Sequence, residues 1–83
     1  MTRDIENAVI AAVNTVSERK ITALDRSARI EEMGLDSIGT TEVILKIEEQ
    51  MGAELSEPAL LAIADATSVG QFLSILDDFY RVP

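Results

Sequence analysis

Apolar residues recur at three- and four-residue intervals along most of this chain, and that spacing constrains it to helices. Ile5, Val9, Ala12, Val13 and Val16 share one face if residues 3–18 wind as an amphipathic helix. Thr2 is placed to cap that helix, and Asp4 and Glu6 suit the positive end of its dipole. A second helix is expected from a cap at Asp36 or Ser37 to about Met51, with apolar positions at Ile38, Val43, Ile44, Leu45, Ile47 and Met51. Glu42, Lys46, Glu48 and Glu49 supply most of its polar surface, and Glu42 precedes Lys46 by four residues, the order that favours an ion pair. Gly34 breaks the pattern before this helix, and Gly52 is the expected C-cap after it. Ser56-Glu57-Pro58 reads as the start of a short apolar helix over about 58–64, containing Leu60, Leu61 and Ile63. Ser68-Val69-Gly70-Gln71 fits a capping box, so a last helix is expected over 69–80 with Val69, Phe72, Leu73, Leu76 and Tyr80 inward. No segment alternates convincingly as a strand.

Residues 19–36 lack this regularity. Charges crowd the segment, yet Ile21, Leu24, Ile30, Met33 and Leu35 continue through it. It reads as a long ordered loop pinned by apolar anchors, with a short helical turn near 28–33. Asp25 to Ile30 begins like a calcium-binding loop, but the sixth position is not glycine and an arginine stands where an oxygen ligand belongs. That reading is rejected, and no metal site is expected.

The expected fold class is therefore all-α: three main helices, one short helix, and a long loop between the first and second. At 83 residues, 47% of them apolar, the chain suits a single domain over 1–83 with one compact core. With no Cys and no His, disulfides, thiolate zinc sites, cysteine nucleophiles and histidine bases are all excluded. No apolar run approaches the roughly 20 residues of a membrane span, and the start lacks the charged-then-apolar pattern of a secretory signal. A cytoplasmic monomer without membrane insertion is the expectation. The formal net charge is −8, unevenly spread: residues 1–29 carry five basic and four acidic side chains, residues 30–83 two and eleven. Such a surface repels nucleic acid and attracts proteins with basic patches.

One stretch carries chemistry: Glu32-Met33-Gly34-Leu35-Asp36-Ser37-Ile38-Gly39-Thr40-Thr41-Glu42-Val43. It sets a serine at the start of a helix, after a glycine turn and directly after an aspartate. A helix N-terminus presents unpaired amide N–H groups and partial positive charge, so a phosphodiester on that serine would be well accommodated. The loop–helix edge is reachable by a modifying enzyme, and the Asp36 carboxylate is a suitable hard ligand for a divalent metal that such an enzyme brings. A serine before a helix is by itself commonly only a cap.

Gly34-Leu35-Asp36-Ser37-Ile38 resembles the G-x-D-S-L attachment motif of the acyl carrier protein family. Thr40, Glu42 and Ile47-Glu48-Glu49 resemble the acidic helix that follows the serine in that family, and Thr67 to Leu73 resembles the start of its last helix. The resemblance implies a four-helix bundle in which the first, second and fourth helices pack together and the third crosses one end. It implies that Ser37 accepts 4′-phosphopantetheine from coenzyme A, through a phosphopantetheinyl transferase that uses magnesium, with Asp36 supporting the modification. It implies a partner surface at Ile38, Glu42, Val43, Glu48 and Glu49, met by basic patches on acyl-transferring and condensing enzymes. It also implies an interior that opens to shelter the acyl chain, with Leu45, Ile47, Leu60, Leu61, Ile63 and Phe72 as its walls.

On this reading the chain is a carrier and not an enzyme, moving acyl intermediates of fatty-acid, specialised lipid or polyketide synthesis. Lys46 interrupts the acidic helix and Gly39 stands where the family commonly has a polar residue, which fits a dedicated carrier better than a housekeeping one. Two alternatives stand beside it: a carrier of aminoacyl, peptidyl or D-alanyl cargo, and a helical interaction module that is never modified.

Overall fold

The computed structural model describes residues 2–18 and 20–80, the side chains of Thr2 and Arg3 excepted. Four helices form in chain order: α1 (Thr2–Ser17), α2 (Ser37–Met51), α3 (Glu57–Asp65) and α4 (Val69–Tyr80). A 3₁₀ turn over Ile30–Met33 interrupts the α1–α2 loop, where the apolar anchors predicted a short helical turn. The described residues contain no strand, only an isolated antiparallel bridge between Arg29 and Ser68. The expected Thr2 cap lies outside the described side chains.

The helix ends follow local chemistry. Asp36, extended at φ −95°, accepts a hydrogen bond from Gly39 N at 2.6 Å and so caps α2. Gly52 closes α2 at φ 74°, its N–H reaching back to the Glu48 carbonyl. Ser56 Oγ accepts from Ala59 N to start α3, with Pro58 in the first turn where its missing N–H costs nothing. At α4 the capping box is complete: Ser68 Oγ accepts from Gln71 N, and Gln71 Oε1 accepts from Ser68 N. The predicted Glu42–Lys46 pair does not form. Lys46 Nζ instead lies 3.9 Å from Glu49, one turn in the other direction.

α1 packs against both α2 and α4, and α3 packs against α4. Between them lies one core of Ile5, Val9, Val13, Val43, Ile47, Leu55, Ile63, Val69, Phe72, Leu73 and Leu76, closed at the loop end by Met33 and Leu35. Removing each of these larger side chains from water contributes roughly 1.5–3 kcal/mol before the entropy cost of ordering the chain. No polar or charged residue is buried among the described ones.

The long loop is held at three places. The Asn14 amide accepts from Ile21 N at 2.9 Å and donates to Ile21 O at 3.0 Å, so a side chain of α1 does for the loop what a neighbouring strand would do. Arg26 bridges to Glu6 of α1 at 2.9 Å. Farther on, Ile30 N donates to Thr67 O, Val69 N to Ala28 O and Gly70 N to Arg26 O, all within 3.0 Å. These bonds join the loop to the α3–α4 junction and fix the approach to α2.

Candidate functional site

Gly34 turns the chain out of the 3₁₀ segment at φ 79°, a left-handed conformation that glycine adopts without strain. Leu35 then anchors in the core, and Asp36 and Ser37 emerge exposed on its far side. The Asp36 carboxylate is committed to Gly39 N, which makes Ser37 the first residue inside α2 rather than its cap. Gly39 permits this close approach, because a Cβ there would stand 3.2 Å from Asp36 Oδ1 and 3.4 Å from Leu35. A larger residue at 39 would need those two side chains to give by a few tenths of an ångström. Thr40 and Thr41 turn their hydroxyls to the Asp36 and Ser37 carbonyls and tighten the first turn.

Beside Ser37 an open cleft of about 890 Å³ runs between α2, the 3₁₀ turn and α3. Its apolar walls come from Ile30, Leu35, Ile44, Leu45, Leu60, Ile63 and Ala64, and Arg29, Asp36, Ser37 and Thr41 stand among its polar lining. Of the six residues predicted as an acyl pocket, Leu45, Leu60 and Ile63 line the cleft. Ile47 and Phe72 are buried in the core, and Leu61 stands out in solvent, 62% exposed. Ile30, Leu35 and Ile44 were missed. They sit in three segments separated in sequence, and nothing local marks them as sharing a wall.

The expected partner surface divides in the same way. Ile38 is 71% exposed, and Glu42 and Glu49 are exposed farther along α2. Val43 needs correction: its side chain is fully buried in the core, so it offers no surface to a partner. Glu48 is half-buried, and its Oε2 accepts from Leu55 N at 2.7 Å. Exposed Leu45, expected in the pocket, adds apolar surface to the α2 face at 54% exposure.

A scan against protein families matches the phosphopantetheine attachment site family over residues 7–74. The chain belongs to that family. No curated protein and no solved structure gives a match. Members carry a 4′-phosphopantetheine prosthetic group, are not themselves catalytic, and meet a phosphopantetheinyl transferase and further partner enzymes.

The residues present fit that group. An exposed serine hydroxyl stands in the first turn of a 15-residue helix, where the N–H groups of Ser37 and Ile38 have no intrahelical acceptor and the dipole favours a phosphodiester. The adjacent cleft can take the apolar part of a long substituent. Among the described residues there is no cluster of three or more carboxylates that could hold a metal ion, and no helix is long and apolar enough to cross a membrane.

Proposed function

We propose that this carrier domain is modified on Ser37 and carries acyl groups between enzymes. The observation that carries the reading is the exposed Ser37 hydroxyl in the first turn of α2, at the edge of an apolar cleft. When attached, phosphopantetheine supplies a terminal thiol that holds cargo as a thioester, chemistry a chain without cysteine lacks. The protein's own residues do the rest. Asp36 holds the first turn of α2 in shape through Gly39 N, keeping the Ser37 hydroxyl presented outward. Its exposed carboxylate also stands where a transferase can use it to hold a divalent cation. Ile30, Ile44, Leu60 and Ile63 offer an apolar wall on which a hydrocarbon chain is removed from water at about 0.8 kcal/mol per CH₂.

That wall favours acyl over aminoacyl cargo, since an ammonium group gains nothing from entering it. Ile38, Leu45, Glu42 and Glu49 form the docking face, the acids steering partners with basic patches and the apolar residues giving contact.

The test is intact-mass spectrometry after incubation with coenzyme A, magnesium and a broad-specificity phosphopantetheinyl transferase. The wild type should gain the mass of one phosphopantetheine and the Ser37→Ala variant none. An unmodified wild type, under conditions that modify another carrier, would overturn the reading in favour of an unmodified interaction module.

A further inference from the structure

The spacing of α2 groups Glu48 with Glu42 and Glu49 as surface acids, but the structure puts it to another use. Leu55 lies seven positions after Glu48, and between them the chain reverses through the left-handed turn at Gly52. Glu48 Oε2 crosses this turn to take the Leu55 N–H at 2.7 Å, while its own carbonyl takes the Gly52 N–H at 2.9 Å. The Leu55 side chain is buried in the core, and the next residue, Ser56, caps α3. One carboxylate therefore ties α2, one wall of the cleft, to the point where the opposite wall begins. Tyr80 OH holds the same turn as well, through Ala53 O at 2.8 Å. Of the two ties, Glu48 lines the cleft itself.

We infer that Glu48 is a positioning residue: its bond to Leu55 sets the angle between α2 and α3, and so the width of the cleft in which cargo is held. The inference rests on the carrier reading for its consequence, though not for its geometry. A long apolar chain needs the full length of the cleft, so its protection depends on this bond. A two-carbon cargo does not reach that far and is indifferent to it. What matters is an acceptor atom at the right reach. Gln keeps the reach and loses the charge. Asp keeps the charge and falls one methylene short. A surface acid that served only to dock partners would leave the free protein unchanged by either replacement.

The first measurement is amide hydrogen exchange on the full unmodified chain, comparing wild type with E48Q, E48D and E48A. Leu55 should exchange about tenfold faster or more in E48A and E48D, and within about threefold of wild type in E48Q. The Ile47 and Leu76 amides report whether the core is intact. The second measurement is cleavage of octanoyl and acetyl thioesters of the modified protein by hydroxylamine. Octanoyl cleavage should be several-fold faster in E48A and E48D than in wild type or E48Q, and acetyl cleavage equal in all four. Unchanged Leu55 exchange in E48A, a shared loss in E48Q and E48A, or the same ratio for both cargoes would each overturn the inference. The exchange measurement needs no modification at Ser37, so it stands or falls separately from the carrier reading.

Discussion

Glu18 is the described residue whose backbone sits least comfortably. It follows the last turn of α1 at φ 58°, in the left-handed region where a Cβ crowds the backbone at a cost of roughly 1–2 kcal/mol. Gly34 and Gly52 take nearly the same conformation at the ends of the 3₁₀ turn and α2, where they carry no such cost. Those two turns could be read in the sequence because glycine announces them. The one at Glu18 could not, since glutamate carries no signal for it. The Glu18 side chain is exposed, so its removal forfeits little packing. Glu18→Gly should therefore stabilise the fold, the relief of strain outweighing the extra freedom glycine gives the unfolded chain. We expect a gain of about 0.5–1 kcal/mol, and a melting temperature higher by about 4–8 °C per kcal/mol, in a thermal melt followed by circular dichroism. A lower melting temperature would mean that Glu18 makes a contact worth more than its strain.

Among the elements, the helices were legible and the loop's attachments were not. The expected helix over 69–80 forms as Val69–Tyr80, and α2 ends at Met51 as Gly52 implied, because caps and breakers act within four residues. The loop that reads only as charged and pinned owes its position to backbone bonds with Thr67, Val69 and Gly70, some forty residues away. Backbone groups leave no trace in residue type, with one exception here. Gly70 N donates to Arg26 O at 2.9 Å, and a Cβ on residue 70 would stand 3.0 Å from that same oxygen. Space thus favours glycine there. Gly70→Ala sets two effects against each other. Alanine gains up to about 1 kcal/mol of helix propensity, and the intrusion costs about 1–3 kcal/mol because the partner is backbone and cannot swing away. The intrusion should win by about 1 kcal/mol, seen as a lower urea midpoint. Unchanged or higher stability would show that the 26–30 segment moves aside freely.

At the scale of the molecule, the candidate site shows the same division. Asp36 and Ser37 were found from five consecutive letters, whereas the cleft beside them is assembled from the loop, α2 and α3, and only half of its predicted walls line it. Helical periodicity says which residues turn inward but not which interior they share. That is why Val43, Ile47 and Phe72 are core while Leu45 and Leu60 border the cleft. Tyr80 is a similar case. Its inward position is legible, but its bond to Ala53 O, which closes the last helix onto the α2–α3 turn, is not. Burial, and then the nearby Glu48 carboxylate, raise the Tyr80 phenol above its ordinary value of 10.0. The folded protein thus holds this proton more tightly than the unfolded chain does. The stability it brings is complete below the unfolded value and declines as pH rises from there through the folded one. Tyr80→Phe loses the hydrogen bond and should be less stable at neutral pH by about 0.5–1.5 kcal/mol. The variant has no phenol to ionise, so its disadvantage should shrink as pH passes above 10.0. Lysine titration is common to both proteins and cancels in the comparison. Urea midpoints of the pair, measured from neutral pH upward, test this, and a gap that stays constant or widens in alkali would mean that the phenolate is tolerated where Tyr80 now meets Ala53.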